Sequence, residues 1–172
     1  VPLTIIIDPL PVLTIQNNSP LCAGEVLTIS SSGAAQYNWT GPNAFTTTGP
    51  VVTIANMQVV NSGKYYLDGL SNLGCIKKDS VLIVVNPVPT ASVSFAAATI
   101  CEGDTLQLGS SGGGTYSWQP ATGLSSAQVA NPLAFPTDST NYRLVVSNSF
   151  NCSDTAFVNI DVVKKPIANA GA

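Results

Sequence analysis

The sequence contains no histidine, which removes the usual general base and the commonest metal ligand together. Charge is scarce too: six basic and nine acidic residues make only 9% of the 172-residue chain, with a net charge of -3. Six scattered Lys and Arg residues supply no basic patch for a nucleic acid or an anionic membrane surface. No run of 18 apolar residues occurs, so no segment reads as a membrane-spanning helix. The nine carboxylates are dispersed with no Asp-x-Asp cluster of calcium-loop type, and no serine has a base at a recognisable spacing. These absences predict no enzyme, no cofactor and no metal. The chain opens at Val1-Pro2-Leu3-Thr4, in the middle of a strand-like run, so any export signal is expected outside it.

What is present is 45% apolar residues, with Ser, Thr, Asn and Gln providing the polarity, and 14 Gly plus 12 Pro breaking the chain every few residues. Such a composition suits short strands and turns rather than amphipathic helices.

Self-comparison shows an internal repeat. Leu21-Cys22-Ala23-Gly24-Glu25-Val26-Leu27-Thr28-Ile29 matches Ile100-Cys101-Glu102-Gly103-Asp104-Thr105-Leu106-Gln107-Leu108 at an offset of 79, as Tyr37 and Trp39 match Tyr116 and Trp118. The offset then falls to 77: Tyr65 and Leu67 match Tyr142 and Leu144, Cys75 matches Cys152, and Val81, Ile83 and Val85 match Val158, Ile160 and Val162. Residues 10–87 and 88–164 are therefore read as two copies. Residues 1–9 resemble the end of the first copy, so they read as the last strand of a preceding one. Residues 165–172 read as a linker or the start of a following copy.

Each copy shows about seven short alternating segments, the pattern of a β-sandwich. The first copy predicts strands near 12–16, 25–31, 36–40, 44–48, 51–55, 63–70 and 78–86. The second predicts them near 90–95, 104–109, 115–119, 127–130, 133–136, 140–147 and 154–163. The fold class is all-β, two tandem immunoglobulin-like sandwiches. Trp39 and Trp118 read as the buried tryptophan of such sandwiches rather than a sugar-stacking platform, and Tyr65 and Tyr142 as tyrosine-corner residues. Glu25 and Glu102, beside turn glycines, read as turn residues. Tyr66, Phe45 and Phe150 are the candidate exposed aromatic contacts.

One cysteine pair per copy, 53 and 51 residues apart, predicts the disulfides Cys22–Cys75 and Cys101–Cys152. On the chain-entropy view each would stabilise its copy by roughly 4 kcal/mol. One tension remains. Cys22 precedes the second strand and Cys75 follows the sixth, places that lie toward opposite ends of a strict immunoglobulin topology. Either the lead-in is rerouted or the topology differs.

Ile100-Cys101-Glu102-Gly103-Asp104, Tyr116-Ser117-Trp118-Gln119-Pro120-Ala121-Thr122-Gly123-Leu124 and Asn131-Pro132-Leu133-Ala134-Phe135-Pro136-Thr137 resemble the PKD-like or Ig-like repeats of giant surface proteins in Bacteroidota, found in gliding-motility adhesins and in proteins exported by type IX secretion. The first copy is similar to the Ig-like variant through Asn61-Ser62-Gly63-Lys64-Tyr65, and Ala168-Asn169-Ala170-Gly171 is similar to the opening of a further repeat. The resemblance implies a secreted, cell-surface, non-catalytic stalk or spacer with an adhesive role. Its expected partners are neighbouring repeats and surface glycans or other surface proteins. An accessory, spacing or glycan-binding module of a secreted polysaccharide-degrading enzyme is the alternative. The resemblance also implies O-glycosylation of Ser or Thr after Asp, with Ser80, Thr105, Ser139 and Thr155 as candidates.

Overall fold

A computed structural model describes Ile7 and residues 9–166. The expected last strand of a preceding copy over 1–9 and the linker or further copy over 165–172 therefore lie outside the described residues, except for Ile7, Pro9, Lys165 and Pro166. The chain divides after Pro87 into two compact units.

Unit 1 contains β1 (Thr14–Asn17), β2 (Leu21–Cys22), β3 (Leu27–Ser32), β4 (Gln36–Gly41), β5 (Phe45–Thr48) and β6 (Val51–Ile54). A 3-10 turn (Val59–Asn61) then leads to β7 (Gly63–Leu70), β8 (Ile76–Ile83) and β9 (Val85–Asn86). One sheet has the order β1-β3-β6 and the other β5-β4-β7-β8, with β2 added parallel to β9. Alternation along the strands turns Leu27 and Ile29 of β3 toward Trp39 of β4, Tyr65 and Leu67 of β7 and Ile83 of β8. Each of these six is at most 1% exposed, which places the core between the two sheets. On β7 the inward position after Leu67 is Gly69, where a Cβ would sit 2.4 Å from a methyl of Leu13 and force that side chain to shift.

Unit 2 contains β10 (Ser92–Val93), β11 (Ala97–Cys101), β12 (Leu106–Gln107), β13 (Ser110–Ser111), β14 (Thr115–Gln119), β15 (Leu133–Ala134), β16 (Thr140–Ser147) and β17 (Ser153–Val163). The sheet β11-β17-β16-β14 faces two short ladders, β10-β13 and β12-β15. Trp118, Tyr142, Leu144, Val158 and Ile160 form the core with Leu108 and Ala134. Both units are immunoglobulin-like β-sandwiches, by strand order and by the tryptophan between the sheets.

Three features depart from the sequence expectation. The strand expected over 127–130 is irregular: Pro120 lacks an N–H, Gly123 stands at φ 73°, and the segment serves Trp118 through single carbonyls of Ala127 and Val129. The strand expected over 104–109 is split into β12 and β13, because the Leu108 N–H goes to Pro132 and the Gly109 carbonyl to Ser94. The third departure is β2 and β11, which were not foreseen. After β1 the chain leaves the β3 sheet and crosses to pair with β9, so the lead-in is rerouted. The Asn18 amide holds the crossing, donating to Val26 O at 2.9 Å and accepting from the Thr28 N–H at 2.8 Å. Ser19 Oγ accepts from the Val84 N–H at 2.8 Å.

Trp39→Ala is expected to destabilise unit 1 by about 3–5 kcal/mol, the usual effect of emptying an aromatic site in a closed core. Urea unfolding followed by fluorescence of the remaining Trp118 alongside far-UV circular dichroism checks this. The fluorescence transition should hold its midpoint while part of the dichroism signal melts early.

Candidate functional site: the cysteine turns and surface residues

The four cysteines occupy two kinds of turn, each built twice. In the first kind, Cys22 ends β2 opposite Asn86, and the Ala23 N–H donates to Asn86 O at 2.9 Å. The Glu25 N–H returns to Cys22 O at 3.1 Å, with Gly24 at φ 94° closing the turn. Cys101 repeats this: it ends β11 opposite Val163, the Glu102 N–H donates to Val163 O at 2.9 Å, and the Asp104 N–H returns to Cys101 O at 3.0 Å with Gly103 at φ 86°. Glu25 is a turn residue, its carboxylate accepting from the Cys22 N–H at 2.7 Å.

In the second kind, Cys75 follows β7 in a five-residue turn. The Ser71 N–H donates to Cys75 O at 2.9 Å, and the Cys75 N–H donates to Ser71 Oγ at 3.0 Å. Cys152 has the same frame, with Asn148 N–H to Cys152 O at 2.9 Å and Cys152 N–H to Asn148 Oδ1 at 3.1 Å. Ser71 and Asn148 were not singled out from the sequence. The signal was there: both precede their cysteine by four residues and match at the offset of 77.

Cys22 and Cys152 are disulfide-bonded, whereas Cys75 and Cys101 carry free thiols. The expected pairs Cys22–Cys75 and Cys101–Cys152 therefore do not form, and strand length explains it. Cys75 immediately precedes β8, whereas Cys22 lies beside Asn86, which ends β9. At about 3.3 Å per residue the intervening strand spans more than 30 Å. Cys152 and Cys101 are separated by the whole of β17, again about 33 Å. A disulfide needs Cα atoms within about 4.4–6.8 Å.

The aromatic candidates divide. Tyr66 and Phe150 are 52% and 56% exposed. Phe45 is not a surface contact: its ring packs edge-on against Tyr65, centroids 5.5 Å apart, at the margin of the core. Trp39 and Trp118 are buried, their indole N–H groups donating to Gly49 O and Val129 O. The Tyr65 hydroxyl donates to Asn61 O, four residues upstream, as a tyrosine corner does. Tyr142 differs, donating instead to Thr122 O at 2.9 Å across the loop after β14. Burial raises the pKa of both phenols above the ordinary value.

Ser80, Thr105, Ser139 and Thr155 are all exposed. Ser80 and Thr155 each donate their N–H to the side chain of the preceding Asp, and Ser139 Oγ accepts from the Val162 N–H. Near Ser139, Lys164 reaches Asp138 at 2.9 Å and Glu102 at 3.6 Å. Hydrogen bonding and then charge from Lys164 hold the Asp138 carboxyl below its ordinary pKa. Among the described residues no group of three His, Cys, Asp or Glu side chains is placed to hold a metal ion, and no helix is long and apolar enough to cross a membrane.

No protein-family model and no curated protein matches the chain. Among solved structures it is similar to murine CEACAM1b, at 15% identity over 88% of this chain and 100% of that one, with a TM-score of 0.43. The insect immune protein hemolin is similar at 13% identity over 90% of this chain and 47% of that one, TM-score 0.49. Three N-terminal domains of the bacteriophage RB49 outer capsid protein Hoc are similar at 14% over 87% and 58%, TM-score 0.43. The fold assignment rests on the strand order itself.

The buried phenols set a pH dependence. With folded pKa values above the unfolded one, their contribution is fully present below about pH 10 and is lost as pH rises above it, because the unfolded chain ionises first. A Tyr65→Phe, Tyr142→Phe double variant should lose about 0.5–1.5 kcal/mol per hydrogen bond at pH 8. It should also lose less than the parent between pH 9 and 11, by urea titration. An unchanged alkaline slope counts against this account.

Proposed function

We propose that this chain is a non-catalytic spacer segment of a large secreted surface protein, built from tandem PKD-like or Ig-like repeats of the kind that Bacteroidota export, with an adhesive role toward surface glycans or other surface proteins. The observation that carries it is the repeated pole-to-pole course of the chain. In unit 1 the chain comes in beside Gly69 and Ala34 and leaves through β9 at the far pole, next to Cys22. In unit 2 it comes in at Ala91, whose N–H donates to Asp154 at the start of β17, and leaves at the other end of that strand. A module that passes its chain from one pole to the other can be strung in series, each copy adding its own length.

Force spectroscopy under reducing conditions tests the spacer role. Each copy should unfold as a separate event, releasing about 25 nm of chain at 3.3–3.6 Å per residue. Release without resistance would overturn it. A glycan-array signal from the isolated chain, lost in Tyr66→Ala or Phe150→Ala, would instead favour a glycan-binding module of a polysaccharide-degrading enzyme.

Exposure of all four Asp-Ser or Asp-Thr hydroxyl residues fits the second expectation, O-glycosylation at Ser80, Thr105, Ser139 and Thr155. Mass spectrometry of native material should find hexose-bearing peptides at these positions. Unmodified peptides at all four would end this part of the reading.

A further inference from the structure

The two free thiols stand in turns whose duplicates are already cross-linked. Cys101 has the backbone frame of the disulfide-bonded Cys22, down to the cross-strand N–H bond of the next residue and the left-handed glycine after it. Cys75 has the frame of the disulfide-bonded Cys152, including the side-chain oxygen four residues upstream that accepts its N–H. One bonded sulfur therefore belongs to each kind of turn, and one free sulfur of each kind is left. Each free thiol also lies at a pole of its own unit: Cys75 where the chain enters unit 1, before β8, and Cys101 where it leaves unit 2, beside Val163. Cys101 is exposed and Cys75 partly so.

We propose that Cys101 and Cys75 are the two halves of a head-to-tail disulfide junction, in which Cys101 of one chain bonds Cys75 of a second copy of this chain. Such a contact joins two different patches, so a dimer still carries one free thiol of each kind and can add further copies or close into a ring. This goes beyond the spacer reading and stands or falls separately from it, since a mechanically resistant repeat needs no covalent partner.

The chemistry balances with a small-molecule disulfide as oxidant. The Cys101 thiolate attacks oxidised glutathione, forming a mixed disulfide and releasing one glutathione thiolate. The Cys75 thiolate of the second copy then attacks the Cys101 sulfur of that mixed disulfide and expels the second glutathione. Two protein thiols and one glutathione disulfide become one protein disulfide and two glutathione thiols.

The test uses the whole 172-residue chain, incubated with oxidised glutathione at mildly alkaline pH and separated without reductant. The expected result is a ladder of covalent multiples of 17.7 kDa that collapses with dithiothreitol, with Cys75–Cys101 as the mapped cross-link. Cys75→Ser and Cys101→Ser should each abolish the ladder. Mixing the two variants should restore a covalent dimer and nothing larger. Circular dichroism matching the parent shows that the variants fold. A chain that stays monomeric with both thiols free overturns the proposal, and so does an internal Cys75–Cys101 bond. Symmetric Cys101–Cys101 or Cys75–Cys75 links in equal or greater yield, or cross-links through Cys22 or Cys152, overturn it as well.

Discussion

A tryptophan buried between two sheets has to give its indole N–H to an acceptor, and the rest of each sandwich is arranged around that requirement. In unit 1 the acceptor is Gly49, in the turn between β5 and β6; in unit 2 it is Val129, in an irregular loop. The loops differ, yet the ring does not move relative to the neighbouring strand: Trp39 faces Leu67 and Trp118 faces Leu144. The two residues missing from the second copy are therefore absorbed in the connection between β14 and β16, where an edge strand is given up. The cross-strand pair is kept because a one-residue slip would turn every inward side chain out.

The second constraint is the crossing of the lead-in. In each unit by itself the first lead-in strand pairs antiparallel, β1 with β3 and β10 with β13, whereas the next, β2 or β11, lies parallel to the last strand, β9 or β17. Parallel pairing sends the lead-in toward the pole where the chain leaves its unit, so Cys22 and Cys101 arrive there. Cys75 and Cys152 sit in the turn at the other pole. The length of the last strand then fixes the separation within a copy.

Much of this was legible in the sequence because period-two alternation reports which side of a strand is buried. Val81, Ile83 and Val85 alternate as one inward face, and all three pack in or against the core. The tryptophans could be assigned from repetition alone. Sheet membership was less legible: alternation is the same whichever sheet a lead-in joins, so nothing in Leu21-Cys22 announced its pairing with β9. The cysteine pairing failed for the same reason, since even counting assumes that the nearest partners in sequence are near in space. Phe45 was misjudged because a half-buried edge residue alternates like an exposed one. The failed strand over 127–130 shows the limit of apolar content beside Pro120, Gly123 and Pro132, where ladder donors and backbone freedom decide the outcome.

Where the sulfurs lie also determines what holds each copy together. A bridge within a copy would have limited its unfolded chain by closing a loop of some fifty residues, worth about 4 kcal/mol. No such loop is closed, so a sandwich of under 90 residues has to stand on its core. That agrees with how completely the core is sealed: Leu27, Leu67, Ile83, Leu108, Tyr142, Leu144 and Ile160 are all 0% exposed. The packing around each tryptophan thereby owes nothing to a bridge within its own copy. Where each cysteine stands is set by the course of the lead-in and the length of the last strand, not by the packing around the tryptophan.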